Sequence, residues 1–327
     1  MRRSLFAFVF LSSPALAQTD VTAYLPAETD AVLTVKARRI SDSELGQKVG
    51  ADLLKEALRA IKPAALAVEA TGLDPLKDFD VITVGMDLDK TDPPKLFALF
   101  EGKFDTKKME ESIAAYMKAH PDKLSAATVG GKAAYFMPGK STDESMFAAI
   151  IDDTKLVVAK SEKDLTGAFA AAAGTRKPEI SKELAGLLSR TRSDAPIFVR
   201  AWVKGKFDDL KLPNDKLQAR VRSIDWATAA VKVTKDVTVT VTLSAPDEAT
   251  AQQLSDLVGG VLGLFRLQIL AAAEDQPELK PVADLLRSTK TAPSGKTVVV
   301  SGSVKGEAIE KALHPPPPQP KPASKKK

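Results

Sequence analysis

Apolar residues recur at two different periods along this chain, and the period sets the element expected at each place. Ala31–Ala37 (AVLTVKA) is rich in β-branched residues and reads as a strand. From Ser41 to Ile61 the apolar positions are Leu45, Val49, Leu53, Leu54, Leu58 and Ile61. That spacing of three and four predicts a helix with one apolar face. Gly72-Leu73-Asp74-Pro75 is a turn, and Asp80–Leu88 and Lys95–Phe104 predict a hairpin joined through Asp92-Pro93-Pro94. Asp105 is positioned to cap a helix running to Ala119. Strands are expected at Ser125–Val129, Lys132–Met137, Met146–Ile151 and Lys155–Lys160, with helices at Glu162–Ala172 and Glu179–Leu188.

The second half follows much of the same order. Ile197–Val203 is a strand, and Ile224–Thr228 matches Phe79–Thr83 in pattern. Val237–Leu243 (VTVTVTL) corresponds to the Lys95–Phe104 strand, and Val298–Leu313 to the strand and helix of Leu156–Phe169. These matches share an offset of about 142–145 residues, which reads as a diverged tandem repeat. Ser244 and Asp247 have capping-box spacing ahead of the helix that follows, and Pro246 suits its first turn. The strict alternation in VTVTVTL predicts one apolar and one threonine face. The fold class expected is α+β in two layers, a mostly antiparallel sheet covered by helices on one side. The halves, 18–192 and 193–314, lie side by side or share one long sheet.

The ends read differently. Residues 1–17 (MRRSLFAFVFLSSPALA) combine Arg2 and Arg3, an apolar run from Ser4 to Leu11 and an Ala15-Leu16-Ala17 cleavage site. This is the pattern of a secretory signal peptide cut after Ala17, placing the chain in the periplasm or outside the cell. It is too short for a transmembrane helix, which needs about 20 apolar residues. The paired arginines also fit a twin-arginine signal, although arginine is the usual charge of any such region. Residues 315–327 (PPPPQPKPASKKK) predict an extended, disordered tail ending on Lys325, Lys326 and Lys327. Those lysines are either a solvated end or an electrostatic tether to an anionic surface.

Charge then separates ends from body. The chain has 47 basic and 42 acidic residues. Removing Arg2, Arg3, Lys321, Lys325, Lys326 and Lys327 leaves 41 basic against 42 acidic residues, a net charge of −1. A nucleic-acid partner would require a basic body, so none is expected. The chain has no cysteine, which excludes disulfides, thiolate metal sites and cysteine nucleophiles.

Candidate chemistry is sparse. Gly139-Lys140-Ser141-Thr142 resembles the end of a phosphate-binding loop, but Ala134 stands where that motif needs glycine, so a hairpin turn is expected. Asp87, Asp89 and Asp92 resemble the start of a calcium loop that then fails, with Asp92 and Ala98 in place of the glycine and glutamate. Asp74, Asp78 and Asp80 read as turn and strand-start residues. His120 and His314, the two histidines, sit at a helix end and beside the proline tail, poor places for a buried general base. Trp202 and Trp226 read as core residues on strands. No catalytic, cofactor-binding or metal-ligating residue is singled out.

Gly259, Gly260 and Gly263 fall inside the apolar stretch Leu257–Leu270, which at 14 residues, interrupted by Arg266, is too short to span a membrane. Three helical glycines predict either close packing on the sheet or an apolar groove that would include Phe265.

LPAETDAVLTV (Leu25–Val35), GLDPLKDFD (Gly72–Asp80) and IIDDTKLVVAKSEKDL (Ile150–Leu165) together resemble a broad group of exported bacterial proteins of unknown function. The resemblance covers roughly residues 21–170. It implies an exported α+β protein and supplies no activity. The expected function is a non-catalytic cell-envelope binding or scaffold module, its partner an unidentified envelope protein or polymer. The alternatives are a carrier of an apolar ligand such as lipid, and a hydrolase using carboxylates or calcium.

Overall fold

A computed structural model describes residues 20–60, 62–89, 95–141, 144–208 and 215–314. The signal segment, the Asp92-Pro93-Pro94 connection, Thr142 and the tail with Lys325–Lys327 therefore lie outside the described residues. In chain order the first half contains β1 (Ala31–Val35), α1 (Ala37–Ser41), α2 (Glu44–Ala60), α3 (Lys62–Thr71), β2 (Phe79–Met86), β3 (Leu96–Gly102), α4 (Thr106–Ala119), β4 (Ser125–Val129), β5 (Lys132–Met137), β6 (Met146–Asp152), β7 (Lys155–Ala159), α5 (Glu162–Ala172) and α6 (Lys182–Arg190). The second contains β8 (Ile197–Trp202), α7 (Asp215–Arg222), β9 (Trp226–Val233), β10 (Asp236–Ser244), α8 (Glu248–Asp275), α9 (Lys280–Ser288), β11 (Lys290–Ser294), β12 (Thr297–Lys305) and α10 (Gly306–Leu313).

All twelve strands form one sheet, in the order β11-β12-β10-β9-β8-β1-β2-β3-β7-β6-β5-β4, and every neighbouring pair is antiparallel. The α+β class and the antiparallel sheet are as expected, and the halves share the sheet. Outward from the central β1/β8 pair the order is β1-β2-β3-β7-β6 one way and β8-β9-β10-β12-β11 the other. The segments matched by sequence pattern occupy corresponding places in these two runs.

Helical cover differs from the expectation of one side only. In β3, Phe97 and Leu99 pack with Leu165 and Phe169 of α5 and Leu184 and Leu187 of α6. The alternate residues Ala98 and Phe100 pack with Ala70 of α3 and Met109 and Ile113 of α4. The first half of the sheet is thus sandwiched between helices. An unbroken apolar run such as LFALF has no polar face to present to water, so it needs cover on both sides. In the second half α8 supplies Ala251 and Leu254 against Leu243, Val298 and Val300, the same sheet face that α3 and α4 cover. The opposite face, with Thr238, Thr240, Thr242, Ser301 and Ser303, is polar, and Thr240 and Ser301 hydroxyls meet at 3.1 Å across the strands.

Local chemistry sets the boundaries. Asp105 accepts from the Lys108 amide and caps α4 (3.1 Å), as expected. Asp247, not a Ser244 capping box, starts α8, accepting from the Thr250 amide at 2.7 Å. The Ser244 hydroxyl instead takes the amides of Asp225 and Trp226, both at 2.9 Å, and ties the start of β9 to the end of β10. Gly130 and Gly131 turn β4 into β5 with φ of 56° and 75°, a left-handed pair that favours glycine. Trp202 and Trp226 are cross-strand partners, half-buried against the first-half core.

Leu99 lies fully buried between sheet and helices, so Leu99→Ala should cost about 2–5 kcal/mol. Thr238→Ala on the polar face should change stability by no more than about 0.5 kcal/mol. Urea unfolding midpoints of the two variants test this asymmetry.

Candidate functional site

α8 is the longest helix described, at 28 residues, and about 42 Å by helical rise. The Asp247 cap and Glu248 in its first turn stabilise its start. Its N-terminal third is anchored by buried Ala251, Leu254 and Ser255, and its C-terminal end by buried Ala273. Arg266 donates from Nε to the Leu286 carbonyl (3.0 Å) and from Nη2 to the Thr289 carbonyl (3.1 Å). A cation on otherwise orphaned carbonyls is a favourable helix ending, and it locks α9 back against α8.

Between these anchors the outer side of the helix is bare. Val261, Leu264, Phe265 and Leu267 are exposed to 43%, 66%, 54% and 68%. Val282 of α9 is also exposed. Gly259, Gly260 and Gly263 lie in the same segment, and a Cβ added to any of them would meet nothing within 4 Å. Of the two sequence expectations, close packing on the sheet does not describe this geometry, because each glycine opens onto empty space. The glycines face outward. Each glycine weakens the helix by about 1 kcal/mol against alanine, with no compensating contact among the described residues. The sequence signal is an apolar stretch without a polar face, which ordinarily means burial all round. By length and composition α8 is also sufficient to cross a membrane, unlike the shorter stretch read from the sequence.

The acidic residues gather elsewhere. Asp30, Asp87 and Asp89 bring carboxylate oxygens within 4.8 Å of one another, in a grouping that could hold a cation. The Lys206 ammonium lies between two of them, 2.6 Å from Asp30 and 2.5 Å from Asp89. Lys95 approaches Asp87 at 3.3 Å, and the Asp89 amide donates to Asp87 at 2.8 Å. Partial burial works against the Lys206 charge, but hydrogen bonds to Asp30 and Asp89 outweigh it and raise its pKa. The hydrogen bond to Lys206 lowers that of Asp89. The arrangement is a lysine-bridged carboxylate cluster. Asp92 of the calcium-like run lies outside the described residues. Asp30 and Lys206 are distant in sequence, and no local pattern predicts them as partners of this run.

Other motifs resolve locally. Gly139 donates its amide to the Ser145 hydroxyl (3.1 Å) in the β5–β6 connection, where an added Cβ would strike Glu144. Asp78 accepts from the Asp74 amide and Asp74 from the Leu76 amide, turn roles as expected, while Asp80 pairs with Arg38 at 2.7 Å. His120 ends α4 against the Tyr116 ring, and His314 pairs with Asp52 at 3.1 Å. In the first half a cavity of about 40 Å³, lined by Leu66, Phe79, Met109, Ile113, Tyr135 and Val158 among others, lies between the sheet and α3 and α4.

No protein-family model matches this chain, and neither a curated protein nor a solved structure matches it.

Two outcomes follow from this geometry. At protein concentrations low enough to keep a single chain, Gly260→Ala should raise unfolding free energy by up to about 1 kcal/mol, because within the chain the methyl group meets open space. A fall in the melting temperature would mean that the glycine is closely packed. Lys206→Met should lower stability at neutral pH by about 1–2 kcal/mol, less than for a fully buried pair because Asp89 is exposed. Millimolar calcium should recover part of that loss in the variant and leave the parent melting temperature unchanged. The parent bridge contributes fully between the ordinary values of 3.8 for aspartate and 10.5 for lysine. Its contribution is lost as pH falls through the lowered Asp89 value or rises through the raised Lys206 value.

Proposed function

We propose that this protein is exported to the periplasm or beyond and works there as a non-catalytic binding or scaffold module, with the outer face of α8 as its contact surface. The observation that carries this reading is the run of large apolar side chains from Val261 to Leu267 left open to water on an otherwise well-anchored helix. Export rests on the signal pattern of residues 1–17. The near-neutral body supports a partner other than nucleic acid.

Connectivity favours a helix lying on the body over one crossing a bilayer. α8 leaves β10 and returns through α9 to β11, and both strands pair with β12. A crossing would require the nine residues of α9 to lead the chain back, about half of what a span needs. The apolar-ligand carrier is less well supported. A cavity of about 150 Å³ accommodates benzene; the apolar one between the sheet and α4 is only about 40 Å³, and a larger one of about 270 Å³ is lined by Glu110, Asp152 and Asp153, which suit no apolar ligand. A calcium-dependent hydrolase would have to draw on carboxylates that Lys206 and Lys95 already engage.

A photoreactive amino acid placed at Leu267 in the native host should give a covalent adduct with a macromolecule after illumination. The same group at Thr238 on the polar face should give none. Adducts at Thr238 alone, or at neither position, would overturn α8 as the contact surface.

A further inference from the structure

We infer that the partner of the α8 face is a second copy of this chain, joined through an antiparallel α8–α8 pair about a two-fold axis. The inference rests on α8 being the contact surface and names what covers it. Gly260, Leu264, Leu267 and Ala271 are all exposed and follow one another at spacings of four, three and four. That is the seam spacing of a helix pair. In size the seam reads small, large, large, small, the same in both directions. Placed antiparallel against itself, it sets Leu264 opposite Leu267 of the second copy and Gly260 opposite Ala271. A two-fold interface requires such self-complementarity, because one patch must fit itself.

The surrounding residues agree. No charge falls on the seam, and Arg266 is turned away to the α9 carbonyls. Gly259 and Gly263 flank Gly260 with open space where side chains would hold a second backbone off. The seam with Val261 and Val282 offers roughly 450 Å² of apolar surface per copy, while Phe265, about 100° around the helix from Leu264, lies off it. Two copies would bury about 900 Å² before any polar rim is added, close to the lower limit for a specific interface. A bilayer fits less well. Exposed Asp256, Glu274, Asp275 and Glu278 bracket the apolar run, where interfacial helices carry lysine and arginine. Only at its ends does the register oppose the pair: exposed Asp256 of one copy faces exposed Asp275 of the other, a repulsion that salt screens.

Sedimentation equilibrium of the purified protein tests this, with circular dichroism as the check on folding. The expected mass is twice that of the chain, falling toward monomer on dilution. Leu264→Glu and Leu267→Lys, both at exposed positions, should each keep the parent spectrum and weaken association by about 100-fold or more, since each buries an unpaired charge. Mixing the two variants should restore a dimer, because the carboxylate introduced at position 264 of one copy then faces the ammonium introduced at position 267 of the other. A monomer at the highest attainable concentration would overturn the inference. So would a dimer indifferent to Leu264→Glu, or a monomer that floats with vesicles of phosphatidylethanolamine and phosphatidylglycerol. If Leu267 adducts form in the host while the isolated protein stays monomeric, the contact surface stands and the second copy falls.

Discussion

Five residues hold the two halves of this protein in one sheet. β1 pairs along its full length with β2 on one edge and with β8 on the other. Its partners come from distant parts of the chain, so neither half completes its ladder without it. The register also settles which way every other strand faces. Leu33 stands opposite Val84 and Val199, and successive pairs carry the same face to Ala98 and Val158 in one direction and to Ala229, Val241 and Val300 in the other. Side chains alternate at a period of two, so a one-residue slip in β1 would send fully buried Val32 to the wrong face.

The two runs of strands use that shared register differently. β3 and β7 are apolar at successive positions and take helices on both faces. β10 alternates valine with threonine and takes helices on one. The second half therefore has fewer helices with which to cover one another. α5 and α6 bury their apolar faces between the sheet and neighbouring segments. α8 packs on β11, β12, α7 and α9, and among the described residues nothing covers its outer side from Val261 to Leu267.

Strand positions were legible because β-branched runs and turn residues mark them directly, and the polar face of β10 followed from alternation alone. The two-sided cover of the first half was also present in LFALF, whose lack of alternation is itself the signal for burial on both faces. α3 was harder to see, because Pro63 near its start resembles a break in the preceding helix. α9 and β11 carry Pro281 and Pro293, tolerated in a first helical turn and on an edge strand respectively. Asp30 and Lys206 meet only because β1 lies at the centre of the sheet near the end of β8, a juxtaposition no local pattern contains. Ser244 had the right spacing for a cap, but a nearer competitor, Asp247, was already at the helix start.

The exposed face of α8 had the opposite problem: composition made it look buried. Apolar content reports how much surface a helix must cover but not whether its own chain does the covering. Two departures from local consistency coincide there. Glycines weaken the middle of the longest helix without serving a turn or an internal contact, and leucines and a phenylalanine stand in water within the same few turns. Elsewhere propensity, capping and burial agree, as they do in a sequence selected to fold to one state. A single exposed leucine would need no explanation, and a single helical glycine is tolerated at a cost of about 1 kcal/mol. Their coincidence has a common physical remedy in another backbone lying close along the helix, since the glycines admit the approach and the large side chains supply the surface that makes it favourable.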